Sequence, residues 1–318
     1  MKVSDYSEEY AELWDEFVAQ APMATFLHSR RFLSYHRDRF QDVSLVIENE
    51  ENSLVGLFPA AVDPTHRKRV ISHPGITYGG LIHGRELRGE KVLHVLQAVM
   101  HHYADRGFES LRYKAIPYLY HQVPSSDDLY ALYRLGAVRY RCDLSCAIDL
   151  AGRQDPSQRR KRGLKKALKS GIEIERGSQF AGQLWQVLED NLGKKYNARP
   201  VHSLSEILYL HSSFPKNIEF VVALLRSEIV AGVVLFSTSQ VAHTQYTTSS
   251  VKGHETGALD AVFEHCIRAA QARGVRYFDF GISNEEDGKY LNAPLYQFKS
   301  EFGGGGVVHE FYEFRLGQ

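Results

Sequence analysis

Cysteine is scarce: the 318 residues include three, Cys142, Cys146 and Cys266, too few and too unevenly spaced for a disulfide framework or a zinc site. A reducing, cytoplasmic setting fits that usage. An excess of either charge is also missing. Lys plus Arg and Asp plus Glu number 38 each, so any nucleic-acid or membrane partner has to be met by a local patch. No run of about 18 apolar residues occurs, so no integral membrane segment is expected. The acidic, amphipathic start MKVSDYSEEYAELWDEF lacks a signal-peptide core. The fifteen histidines include no H-x-x-x-H pair with a third ligand nearby, and there is no P-loop or nucleophile elbow. Metal catalysis, a covalent intermediate and a DNA partner are therefore not expected. A DFG tripeptide ends YFDFG, but no kinase glycine loop, strand lysine or H-R-D loop accompanies it.

What is present is an ordinary apolar share of 43% and a charged share of 24%, enough for two packed domains. The order of elements repeats. In the second half IEFVVALL, IVAGVVLFSTS and VAHTQYTTSS read as three consecutive antiparallel strands. Leu259, Val262, Phe263, Cys266, Ile267 and Ala270 then recur at helical spacing, Gly274 stops the helix, and VRYFDFG resumes an extended chain. The first half offers VSLVIEN and LVGLFPAAV as a hairpin, then YGGLI, a helix carrying Val92, Leu96, Val99 and Tyr103, a stop at Gly107, and the strand FESLRYKA. DRGFESLRY and ARGVRYFDF mark corresponding places. The expectation is an α/β (α+β) protein of two tandem domains, 1–147 and 148–318, each a mixed, mainly antiparallel sheet flanked by helices.

That order, with YFDFGISNEEDGKYLNAPLYQFKSEFGG, RRKRGLKKALKSGIEIERG and NARPVHSLSEI, resembles a tandem-GNAT acyltransferase group. The group includes the Fem peptidyltransferases and the FemAB-like N-acyltransferases associated with surface polysaccharides. SSDDLYALYRLGAVRYRCDLSCAIDL is similar to the inter-domain stretch of the latter branch, whereas the first 100 residues match by architecture alone. The resemblance implies two GNAT-like domains and an amide-forming transferase with acyl-CoA as co-substrate. The acceptor it implies is a small-molecule or lipid-linked amino sugar of the cell envelope. A Fem-like enzyme using aminoacyl-tRNA on a peptidoglycan precursor is the alternative. An inactive tandem GNAT that binds a ligand or partner is the reading outside enzymes.

In LYQFKSEFGGGG, Lys299 lies beside aromatic rings whether the segment is extended or helical. The resemblance implies a role for it with the acyl donor or with developing charge; a lysine snorkelling to Glu301 or solvent is the bland reading. Gly303 and Gly304 either bring backbone close to a ligand or link flexibly to the last strand. Asp279, near a strand end, suits orienting the acceptor amine or taking its proton, or else capping N–H groups at Ser283 or Asn284. His202 is a candidate general base beside Ser203 and Glu206, which read as a capping box. GNAT enzymes hold the coenzyme A pyrophosphate in a Gly-rich loop before the helix. Here His254, Gly257 and Leu259 stand at its signature positions, a poor match, and His254 and Gly257 are the cofactor candidates there. Arg159, Arg160 and Arg162 belong to a basic helix ending near Gly171 with Leu164, Ala167 and Leu168 as its apolar stripe, suited to phosphates or to solvent. With Lys195, Tyr246, Ser283 and Asn292 they complete the expected substrate-binding set.

Overall fold

The computed structural model describes residues 1–196 and 199–317, without the side chains of Lys194, Lys195 and Tyr196. The chain forms two compact units. One comprises Met1–Asp143, Glu286–Tyr290 and Val308–Gln318; the other comprises Leu144–Glu285 and Leu291–Val307. The first crossing lies close to the expected boundary, but a simple halving at 147/148 does not describe the chain, because its end returns to the first unit.

The first unit contains β1 (Lys2–Asp5), α1 (Ala11–Gln20), α2 (Arg30–Leu33), β2 (Leu45–Glu48), β3 (Leu54–Phe58), β4 (Ala61–Asp63), β5 (His66–Ile71), β6 (Ile82–His83), α3 (Glu90–Asp105), β7 (Ser110–Lys114), α4 (Asp127–Arg134) and the start of β8 (Val138–Asp149). Strands β1, β2, β3 and β6 pair antiparallel in that order. Separately, β4 pairs antiparallel with β5, and β5 lies parallel to β7. Val92, Val95, Leu96, Val99 and Tyr103 of α3 pack on Leu45, Phe58, Leu111 and Tyr113, the core that the helical spacing anticipates.

The second unit continues β8 and adds α5 (Gln158–Lys169), β9 (Glu173–Arg176), α6 (Ala181–Tyr196), α7 (Leu204–Ser213), β10 (Ile218–Leu225), β11 (Glu228–Ser237), β12 (Val241–Ser249), α8 (Val251–Thr256), α9 (Ala258–Ala272), β13 (Tyr277–Ile282) and α10 (Ala293–Ser300). Its strands run β8-β13-β12-β11-β10-β9. All neighbours are antiparallel except β12 and β13. The β10–β11 turn places Arg226 and Ser227 at φ 52° and 66°, the left-handed pair that a tight hairpin requires. Val262, Phe263, Cys266, Ile267 and Ala270 of α9 bury against Val221, Val233, Leu235 and Phe278.

Both units therefore contain a parallel strand–helix–strand turn, β5–α3–β7 and β12–α9–β13. Gly107 and Gly274 close the two helices at φ 82° and 74°, as the matching DRGF and ARGV predict. After α10 comes the long strand β14 (Gly305–Arg315). Its second part pairs antiparallel with β7, from Phe311↔Lys114 to Arg315↔Ser110, which is why Val308 onward belongs to the first unit.

Candidate active site

The parallel pairing of β12 and β13 is short: it holds Val241 to Tyr277, Ala242 to Phe278 and His243 to Asp279, and then stops. Each strand carries one extra residue just beyond that point. Against β11, Val234 faces Tyr246 and Leu235 faces Thr244, leaving Gln245 as a bulge. Against β8, Asp279 faces Ala147 and Ile282 faces Ser145, so β13 bulges at Phe280 and Gly281, where Gly281 takes φ 75°. Bulges bend strands and increase their twist, so the two strands part into a fork.

His243 and Asp279, the last paired residues, form the floor of that fork. His243 Nδ1 lies 2.7 Å from Asp279 Oδ2. The other carboxylate oxygen accepts from Ser145 Oγ and from the Gly281 N–H at 3.1 Å. Asp279 is fully buried and accepts from these donors, so in the neutral ring the proton sits on Nδ1 and the lone pair on Nε2. The His243 side chain keeps 13% of its surface accessible. An added Cβ at Gly281 would stand 3.3 Å from His243 Cε1, so the bare glycine keeps that edge of the ring clear.

Lys299 acts on the same turn. It sits on α10 and is buried, and its Nζ donates to the carbonyls of Gly281 at 2.9 Å and Ile282 at 2.7 Å. Burial pushes its pKa down to about 8, with Asp279 pulling the other way. A partner at Glu301 or in solvent, the bland expectation, is not what the structure shows: Glu301 binds Arg160.

The other anticipated residues are dispersed. His202 Nδ1 meets Tyr246 Oη at 2.5 Å, and the same hydroxyl accepts the His202 N–H at 3.2 Å, so this pair ties the start of α7 to β12. The Ser203–Glu206 capping box is present. Ser283 is buried, its backbone N–H held by the Leu144 carbonyl and its carbonyl by the Asn292 N–H. Asn292 caps α10 through Leu295 N and donates to Glu285. Lys195 lies outside the described side chains. His254 is exposed on α8.

Arg160, expected to face phosphates or solvent, is instead turned into the unit. It is buried, bonds Asp260 Oδ1 at 2.8 Å and Glu301 Oε2 at 3.0 Å, and lies over the Phe298 ring. Helical spacing carried that signal, since Arg160 shares a face with Leu164 and Ala167. Leu168, assigned to the apolar stripe, is instead 67% exposed. The cleft of about 250 Å³ beside Arg160 is lined by Arg153, Lys161, Asp260, Glu264 and Arg268, all of them ion-paired.

Glycines expected to face a ligand have packing reasons. A Cβ on Gly257 would stand 2.7 Å from the Gly163 carbonyl, and Gly257 has φ 73°. Thus α5 lies against the start of α9; in α8, just before it, the Gly253 N–H is already taken by Ser250 Oγ. A Cβ on Gly303 would come within 2.1 Å of the Gln154 carbonyl, at φ 95°, and one on Gly304 within 2.8 Å of the Ala147 carbonyl. Close passage of backbone over backbone, rather than flexibility, keeps Gly303 and Gly304 bare; Gly305 faces open space, and Gly306 meets the side chains of Leu144 and Tyr296. Gly303→Ala is expected to cost about 1–3 kcal/mol through clash and backbone strain, read as a lower Tm. An unchanged Tm would contradict that packing.

Residues 156–296 match the family model described as "Acetyltransferase (GNAT) domain". The second unit carries a GNAT acyltransferase domain. The match spans the fork, α9 and the first half of α10, ending before Lys299. No curated protein matches the chain by sequence. Among solved structures, FemX superposes with a TM-score of 0.68 at 11% identity, covering 99% of this chain and 98% of that one. L-PGS from Bacillus licheniformis gives 0.64 at 14%, covering 99% and 94%. A tandem GNAT protein from the clavulanic acid biosynthesis pathway gives 0.54 at 12%, covering 100% and 99%. These likenesses establish a shared fold over the whole chain, including residues 1–155, which the family match does not reach.

Proposed function

We propose that the second unit transfers an acyl group from acyl-CoA to an amine on a cell-envelope precursor, an amino sugar being the acceptor. The observation that carries the reading is the His243–Asp279 pair on the floor of the β12–β13 fork. Attack of an amine on a thioester requires removal of a proton and stabilisation of an oxyanion. His243 Nε2, held in its basic tautomer by Asp279, takes the amine proton. Lys299 keeps one N–H beyond the two bound to carbonyls, and its cation lowers the energy of the negative charge formed on the acyl oxygen. The unpaired strand edges of the fork suit the extended arm of coenzyme A, whose amides can add to them as a strand would. The amino-sugar acceptor rests on the resemblance of residues 125–150 to polysaccharide-associated acyltransferases.

Aminoacyl-tRNA is the second reading for the donor. The packing of Gly257 on the Gly163 carbonyl supports it, because the backbone there is engaged with α5 rather than open to a pyrophosphate. Incubating the protein with acetyl- and longer acyl-CoA thioesters and UDP-linked amino sugars should release thiol and form an amide. Amide formation from charged tRNA alone would transfer the reading to the Fem-like donor. No transfer from either donor would leave a binding protein.

Because the Lys299 cation is needed and its pKa lies at about 8, turnover is expected to fall as pH rises through about 8. A neutral amine still has two N–H bonds for the two carbonyls, so the turn stays clamped while the charge is lost. A rate flat to pH 10 would remove Lys299 from the chemistry.

A further inference from the structure

The basic residues of α5 and its approach divide into two sets. Arg153, Arg160 and Lys161 are committed to Glu264, Asp260 with Glu301, and Asp155. Arg159, Arg162, Lys165, Lys166 and Lys169 are exposed, and among the described residues none of their side chains enters an ion pair. Successive helical residues turn by about 100°, so these five fall within an arc of about 120°. Arg160, Leu164 and Ala167 point the other way, where Ala167 is fully buried, so the helix is anchored by its inner face and presents a stripe of cations.

Two aliphatic side chains accompany the stripe. Leu168, about 60° from Lys165 around the helix axis, is 67% exposed, and Val251 at the start of α8, which packs on α5, is 74% exposed. Neither belongs to a core. No aromatic residue occurs from Gln158 to Lys169, so bases have nothing to stack on. Cations tipped with exposed aliphatic groups suit a surface that is anionic at its face and apolar just beneath it, and a phosphate backbone has no use for the aliphatic part.

We infer that the outer face of α5, with Leu168 and Val251, docks the second unit on a membrane surface bearing anionic lipid headgroups. The neutral overall charge makes this a local attraction, since 38 basic residues are balanced by 38 acidic ones. The inference is independent of which donor the fork uses.

Flotation with phosphatidylcholine vesicles, with and without phosphatidylglycerol, tests it. The full chain should float with the anionic vesicles only, and release at high salt. A variant with Arg159, Arg162, Lys165, Lys166 and Lys169 all changed to Gln should bind about tenfold more weakly or less, with an unchanged Tm, because the five side chains are exposed. Leu168→Asp, a single exposed change, should weaken binding severalfold without affecting the fold. Failure of the wild type to float with anionic vesicles, or equal flotation of both variants, overturns the inference. Binding of bulk tRNA that the Gln variant loses, with no vesicle binding, reassigns the stripe to nucleic acid and equally overturns it.

Discussion

Changing His243 to Gln is expected to lower turnover by about 10²–10⁴-fold, the range for loss of a positioned general base. Glutamine can still donate to Asp279 but offers no basic nitrogen, so the fold should keep its Tm while the rate falls. Asp279→Asn asks the complementary question. Its amide faces Nδ1 with a donor and no longer holds the proton there, so the basic lone pair shifts away from Nε2. Both changes should act on kcat more than on KM, because proton removal occurs in the transition state and not on binding. A His243→Gln enzyme within severalfold of wild type would assign the pair to the structural support of the fork.

Lys299→Met should lower turnover by about a hundredfold or more, comparable with removal of one oxyanion donor. Unlike a solvent-facing lysine, it should also lower the Tm. Methionine fills the volume but leaves the buried Gly281 carbonyl without its donor, which costs about 1–3 kcal/mol, and frees the partly buried Ile282 carbonyl at a smaller cost. The two effects separate with pH. The activity difference between wild type and variant should shrink above about 8, as the native lysine itself loses its charge, while the stability difference persists. Lys299→Arg holds its charge beyond that point, so whatever activity it retains should lack the alkaline decline. A Met variant with full activity and a reduced Tm would leave Lys299 as a clamp alone.

Local pattern made much of this architecture readable. Strands β10 to β12 are apolar runs between polar breaks, α9 repeats its apolar residues at helical spacing, and Gly107 and Gly274 mark two helix ends at matching places. Strand β5 escaped because HRKRVI has no apolar alternation, and its pairing with β7 is what makes it a strand. The candidate site was half legible. Lys299 and Asp279 stood out by their neighbours in the chain. His243 did not, since a histidine in VAHTQYTT gains its meaning only from the register that sets it opposite Asp279 across a parallel pair. The bare glycines after Lys299 are visible in the sequence, but the reason for Gly303 and Gly304, the carbonyls of Gln154 and Ala147, lies about 150 residues earlier in the chain and follows from packing rather than local propensity.

The strand β14 begins in one unit and ends in the other, so neither unit is a continuous stretch of gene. A clone of residues 1–147 would lack the strand that covers β7 and would expose a row of unpaired N–H and C=O groups, the kind of edge that recruits other chains. A premature stop before Val308 would do the same damage from the far end of the message. Because the closing strand is shared, neither half could be removed or exchanged without opening a sheet edge in the other.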